Sequence, residues 1–433
     1  MKILIQGGRV IDPASGLDEV CDVAVAAGRI MFIKNIPADF VPKRVIDASG
    51  CIVAPGLVDL AVRLREPGHE HEGMLESEMA AAVAGGISSL VCPPDTEPVL
   101  DEPGLVEMLK IRSEKLHQAR VFPLGALTRD LKGSTLTEMV QLTEAGCVGF
   151  SQAEVALADT QVMQRALQYA ATFGYTVWLR PQELYLGRGV AASGPLATRM
   201  GLSGVPVMAE TIALHVIFEL VRSTGAHVHL CRLSSAAGVE LVRQAKAAGL
   251  PVTCDVSINS LHLTENDIGY FDSRARLNPP LRQQRDREAL SLGLADGTID
   301  ALVSDHTPVD VDAKNLPFAE AEPGATGVEL LLSLALKWGQ ASGVGLLRAL
   351  AVLTHEPARV LGTALGTLQA SVGQLVPGGV ADLCVFDPQA EWLVEPKALR
   401  SQGKYTPFST YALPGRVRHT IVGGYIAYDC TAN

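Results

Sequence analysis

Two histidine pairs, each split by one residue, stand out in a 433-residue chain that holds ten histidines. His69 and His71 lie in "LREPGHEHEG", and His227 and His229 in "AHVHLCRL". Zinc prefers imidazole nitrogen and carboxylate oxygen, and two residues at i and i+2 on a strand project to one face. The first pair follows an apolar run instead of lying on it, which predicts a solvated loop. The second alternates along a strand-like run, where packing accounts for both rings without a ligand. Asp305 and His306 in "SDHTP" close another apolar run, with His306 read as a hydrogen-bonding residue at a strand end. The eight cysteines are scattered without a C-x-x-C pair, so they read as buried thiols and not as a zinc site or disulfide framework.

The elements that would position these residues follow from texture. "KILIQGGRVIDPASGLDEVCDVAVAAGRIMFIK" alternates short β-branched runs with turn residues, and "GGVADLCVFDP" and "GRVRHTIVGGYIAYD" repeat that pattern near the other end. Between them lie eight apolar runs: "CIVAPGLVDLAV", "ISSLVCPP", "ARVFPLGAL", "CVGFS", "YTVWLRP", "AHVHLCRL", "PVTCDVSI" and "IDALVSD". Stretches of helical character separate them. The expected fold is α/β: a (β/α)8 TIM-like barrel over residues 55–365, with a small β-sandwich domain from residues 1–54 and 366–433. The chemistry of such a barrel sits at the carboxyl ends of its strands. Two connections, 183–206 and the one after the eighth strand, exceed ordinary loop length and are expected to cover a site or meet a partner.

Composition narrows the function classes. The chain is 48% hydrophobic and 19% charged, with a formal net charge of -11, enough for a large core and the wrong sign for binding nucleic acid or anionic lipid. The opening "MKILIQGGRVIDP" reaches a glycine pair too early for a signal peptide, and no apolar run reaches membrane-spanning length. A cytoplasmic location is expected.

In order and approximate spacing, "APGLVDL", "LREPG", "EMAAAVAGGISSLVCPPDTEPV", "VELVRQAKAAGLPVTCDV", "LNPPLR", "GTIDALVSDHTP" and "VPGGVADLCVFD" resemble dihydroorotase, of the amidohydrolase superfamily, over nearly the whole chain. The resemblance implies zinc held by His-x-His after strand one, an acidic or carboxylated ligand after strand four, a histidine after each of strands five and six, and an aspartate after strand eight. The corresponding residues are Ala61 and Arg63, then Gln152 and Ala153 in "FSQAE", Arg180, Arg232, and Asp305. A further histidine pair of the family falls on Asn259 and Ser260. Only Asp305 keeps its identity, and one carboxylate does not hold zinc where three protein ligands are usual, so no metal and no cofactor are expected. Arg65, matched to the residue that holds the substrate carboxylate, and Asn278 read as vestiges of a site, while Asp95 stands where an asparagine would and opposes a carboxylate ligand.

Arg63, Arg180 and Arg232 are expected to converge beside Asp305 and to pair with it and with Glu183, side-chain cations standing where metal cations would. A rival reading makes them an anion pocket, and a third lets them reach solvent. The resemblance narrows to inactive dihydroorotase homologues, which implies a non-catalytic partner of aspartate carbamoyltransferase catalytic chains, itself a homodimer within that assembly. The basic stretch from Lys397 to Arg418 is a candidate interface. The alternatives are a metabolite-binding protein and a metal-free cyclic-amide hydrolase that uses Asp305 as base.

Overall fold

A computed structural model describes residues 1–431. Eight parallel strands close the barrel: Leu57–Asp59, Ile87–Cys92, Arg120–Pro123, Phe150–Ser151, Thr176–Leu179, His227–Leu230, Val252–Ser257 and Ala301–Val303. The short strand Gly125–Ala126 carries the pairing from the third to the fourth. A bridge between Val62 and His306 joins the first strand's end to the eighth's. Every expected strand run thus contributes, and the architecture is the expected barrel with a β domain.

Local sequence explains the elements. The helix Thr160–Phe173 starts where Asp159 accepts from the backbone N–H groups of Gln161 and Val162. Val162, Met163, Ala166, Leu167 and Ala170 bury one helical face, and Gly174 ends the helix at φ 72°. Such helices cover the barrel strands, most of whose residues are buried and whose core contributors include Leu57, Leu90, Phe150, Val177, Val228, Val256 and Leu302.

The first apolar run divides between two sheets. Ile52–Pro55 belongs to the small domain and Leu57–Asp59 to the barrel, with Gly56 between them. A Cβ on Gly56 would lie 2.3 Å from the Ser88 hydroxyl oxygen, so only glycine lets the chain cross there. The small domain is an eight-stranded sheet from both chain ends, in which Ile52–Pro55 pairs in parallel with Ile3–Asp12 and antiparallel with Leu383–Leu393. Its core holds Ile3, Ile5, Val23, Val25, Val53, Leu383 and Ile421.

The two long connections are structured. Within 183–206, the helix Pro195–Met200 is framed by a parallel pair of two-residue strands. In the loop after the eighth strand, Val311–Lys314 forms a helical turn. Lys314 is fully buried, its ammonium nitrogen 3.1 Å from the carbonyl oxygens of both Ser273 and Arg276. Burial pushes this lysine down to about 7. Among the described residues, no helix is long and apolar enough to cross a membrane.

Candidate functional site at the barrel mouth

Arg63 follows the first strand, Arg180 the fifth and Arg232 the sixth, so barrel geometry carries all three guanidinium groups to the mouth. They meet on Glu154. Arg63 Nη2 donates to Glu154 Oε1 at 2.8 Å and Arg180 Nη1 to Oε2 at 3.0 Å, while Arg232 Nη2 also donates to Oε1. Asn278 Nδ2 donates to Oε2 at 2.9 Å and accepts from Arg180 Nη2 at 2.7 Å through its own oxygen.

Two further carboxylates complete the cluster. Arg232 Nη1 donates to Asp305 Oδ1 at 3.1 Å, and Arg63 Nε to Asp95 Oδ2 at 2.9 Å. The arginine side chains are 6–9% exposed, which excludes the solvent-reaching reading. Burial alone would raise the Glu154 pKa, but Arg232, Arg180 and Arg63 together hold its carboxyl well below the usual range. Asp305 moves up because its burial outweighs the pull of Arg232.

Glu154 carries this arrangement, a role that falls outside the residues expected at the site. It stands one residue beyond Gln152 and Ala153, the positions of the acidic ligands in the family. Gln152 turns away, accepting from Thr128 Oγ1 at 3.0 Å and donating to the Leu131 carbonyl at 2.7 Å. Ala153 takes φ 49° and packs beside Ala126 and Leu131, and the chain turns there before Glu154. The signal available was a charged residue three positions beyond the end of the strand Phe150–Ser151.

Other expectations need correction. Glu183 takes no part in the cluster: its carboxylate accepts from the backbone N–H groups of Tyr185 and Leu186, forming a turn. Asp95 is the partner of Arg63 and not simply an opposing charge. Arg65, at φ 62°, gives its Nε hydrogen to the Pro308 carbonyl at 2.8 Å and lies against Glu72. Burial, opposed by Arg65 and reinforced by Glu322 and Asp310, lifts Glu72 to about 7. Asn259 and Ser260 are buried on the short helix Ile258–His262.

His306 acts as expected. Its Nδ1 accepts from the Gly327 N–H at 3.2 Å, which assigns the proton to Nε2, and Nε2 donates to Glu78 at 2.7 Å. The second histidine pair splits, with His227 exposed at the strand's start and His229 fully buried. In the basic stretch, Lys404 donates to the carbonyls of Leu399 and Ser401 and Arg418 pairs with Asp387, so two of its cations serve internal contacts.

The residues at the mouth do not fit the zinc centre that the resemblance implies. A guanidinium has five donors and no lone pair to offer a metal, and Ala61 offers none. Glu154 and Asp305 already face arginines, and a divalent cation among three guanidinium groups meets repulsion at close range. Deeper in the barrel, one donor atom each from His229, Cys231 and Asp255 lie within 4.8 Å of one another. Both His229 ring nitrogens are engaged there, by Thr253 and Asp255, and burial drives the Cys231 thiol far up. What remains at the mouth is a cavity of about 210 Å³ whose walls include Arg63, Glu154, Arg232, Asp305 and Gly324.

The barrel, its β domain and a site at the strand ends are those of an amidohydrolase fold, and comparison with known proteins makes the assignment narrower. Residues 50–237 match the family described as dihydro-orotase-like, and residues 194–427 the amidohydrolase family. The chain belongs to the dihydroorotase-like proteins of the amidohydrolase family. A "Dihydroorotase-like protein" of Pseudomonas aeruginosa is 45% identical, with 99% of this chain and all of that one covered. A protein named "Dihydroorotase" from Geobacter sp. (strain M21) is 39% identical over the same shares. Among solved structures, the L-hydantoinase of Arthrobacter aurescens superposes with a TM-score of 0.87 at 24% identity, covering 99% of this chain and 96% of that one, a likeness of fold.

Proposed function

We propose that this chain is a catalytically inactive dihydroorotase homologue that acts as a scaffolding subunit for aspartate carbamoyltransferase. The observation that carries the loss of hydrolysis is Glu154 binding Arg63, Arg180 and Arg232 together, because it fills the catalytic mouth with paired cations. Zinc-dependent hydrolysis of a ring amide needs a metal that lowers the pKa of bound water, and these side chains supply no ligand set for it. Asp305 has the identity of a base but faces Arg232, and without an activated nucleophile the barrier stays higher by several orders of magnitude in rate.

The transferase partnership rests on the resemblance to inactive homologues, and it is supported by an architecture that matches a dihydroorotase-like relative over 99% of this chain. The test combines the purified chain with aspartate carbamoyltransferase of the same organism, followed by sedimentation and carbamoyl aspartate formation. A heavier species with greater or steadier transferase activity supports the subunit role. Separate sedimentation with unchanged activity overturns it, and dihydroorotate hydrolysis by the chain alone, abolished in Asp305→Ala, would overturn the loss of catalysis.

A further inference from the structure

We propose that the rim of the barrel mouth carries a divalent transition-metal site, suited to Zn2+, built from His71, Glu72 and Asp310 with His69 in reach as a fourth donor. One donor atom from each of the first three residues lies within 4.8 Å of the other two. His71 Nε2 and Asp310 Oδ2 are 3.5 Å apart. Ligands at zinc bond lengths stand about 3.3 Å from one another in a tetrahedron, so that pair is already near ligand spacing. His69 Nδ1 lies 4.0 Å from Glu72 Oε2, within reach of a side-chain adjustment.

Glu72 supplies the independent observation. Its side chain is 3% exposed, yet Oε2 accepts no hydrogen bond. Arg65 Nε lies 2.9 Å away but points its hydrogen at the Pro308 carbonyl, leaving a buried carboxylate oxygen, 4.0 Å from His69 Nδ1, without a hydrogen-bond donor. Charge favours the same occupant. Glu72, Asp310 and Glu322 stand together with Arg65 against them and Lys314 near Glu322, so carboxylates outnumber cations and a divalent ion would balance the excess.

The scaffold holds these donors on two different loops. Asp310 divides its carboxylate: Oδ1 caps the turn Val311–Lys314 by accepting from the N–H groups of Asp312 and Ala313, while Oδ2 faces His71. On the other loop, Gln402 Nε2 donates to the carbonyl oxygens of Glu70 and His71, both at 2.9 Å, and fixes the backbone. The loops follow the first and eighth barrel strands, which adjoin at the Val62–His306 bridge. A metal there clips the rim across the barrel's closing seam. It lies outside the arginine cluster and does not depend on the proposed transferase role.

The experiment titrates the purified, chelator-treated full chain with Co2+ and then Zn2+, following visible d–d absorption and the melting temperature. One Co2+ per chain, a Co2+ spectrum with imidazole character, displacement by Zn2+ and a higher melting temperature are expected. His71→Ala and Glu72→Gln weaken binding at least 30-fold, and Asp310→Asn does so while keeping its helix cap. His215→Ala, on an exposed helix face, leaves binding unchanged. Metal-free melting of each variant identifies any that fails to fold. Absence of a stoichiometric Co2+ signal overturns the site, as does binding that persists in folded His71→Ala and Asp310→Asn.

Discussion

Arg63 Nη2 and Glu154 Oε1 meet at 2.8 Å across the barrel mouth, joining the end of the first strand to the turn after the fourth. With Arg180 and Arg232 on the same carboxylate and Asp95 and Asp305 alongside, three guanidinium groups face three carboxylates. Removing charges from water is costly, and a balanced set offsets that cost through mutual attraction and satisfied hydrogen bonds. Removing any one member is therefore worse than its own contacts suggest.

Glu154→Gln leaves three buried arginines against two carboxylates. The expected loss of unfolding free energy is about 3 kcal/mol, at the low end for a broken buried pair because the Glu154 side chain keeps 30% exposure. Urea unfolding at pH 7 measures it. Arg232→Met should also lower stability, and the double variant should be more stable than the summed single losses predict. Additive losses would refute a shared network.

Replacing cations by imidazoles should reopen the mouth to metal. Ala61→His, Arg63→His, Arg180→His and Arg232→His combined supply four nitrogen donors beside Asp305. In a Glu72→Gln background, which removes a donor of the rim site, Co2+ absorption is expected from the variant and not from its parent.

Glu78 ties a distant segment to the barrel. Its buried carboxylate accepts from His306 Nε2, from Ser401 Oγ and from the Gln402 N–H at 2.9 Å. Glu78→Ala strands three donors and should cost about 3 kcal/mol. Hydrogen exchange should rise at residues 401 and 402 before it rises in the barrel strands, whereas uniform exchange would show that the segment is held by other contacts.

Glu329 gives a pH signature of opposite sign to Glu154. Burial lifts it from 4.5 to about 7, so the folded state binds more protons than the unfolded state between those values. Its contribution to stability is present below pH 4.5 and lost as pH rises through 7, leaving a penalty of about 1–2 kcal/mol once partial exposure is discounted. Glu154, depressed in the fold, contributes above its unfolded value and loses that contribution in acid. Glu329→Gln can still accept from the Arg400 and Ser401 N–H groups and should flatten the curve between pH 5 and 7, with stability gained at pH 8.

The barrel was legible because each buried strand is a short apolar run bounded by turns, and the convergence of Arg63, Arg180, Arg232 and Asp305 followed from strand order. Their common partner was not. Glu154 lies one position past the family's acidic-ligand positions, Gln152 and Ala153, and its direction depends on Ala153 at φ 49°, a backbone state that residue type does not announce. Glu183, expected to pair with the arginines, is instead claimed by the local backbone donors of Tyr185 and Leu186. The rim cluster was hidden for a different reason: His71 and Asp310 are far apart in the chain, and only barrel closure brings them to 3.5 Å.

The pairing of Pro55 with Leu383 has a consequence for synthesis on the ribosome. Strand Ile52–Pro55 emerges early, pairs with Ile3–Asp12, and presents an unpaired edge until Leu383–Leu393 is translated. For most of elongation the nascent chain carries an open β edge, the kind of surface that invites adhesion between neighbouring chains. Ribosomes stalled before residue 383 should yield chains that associate with one another or recruit chaperones, and release past Leu393 should relieve both.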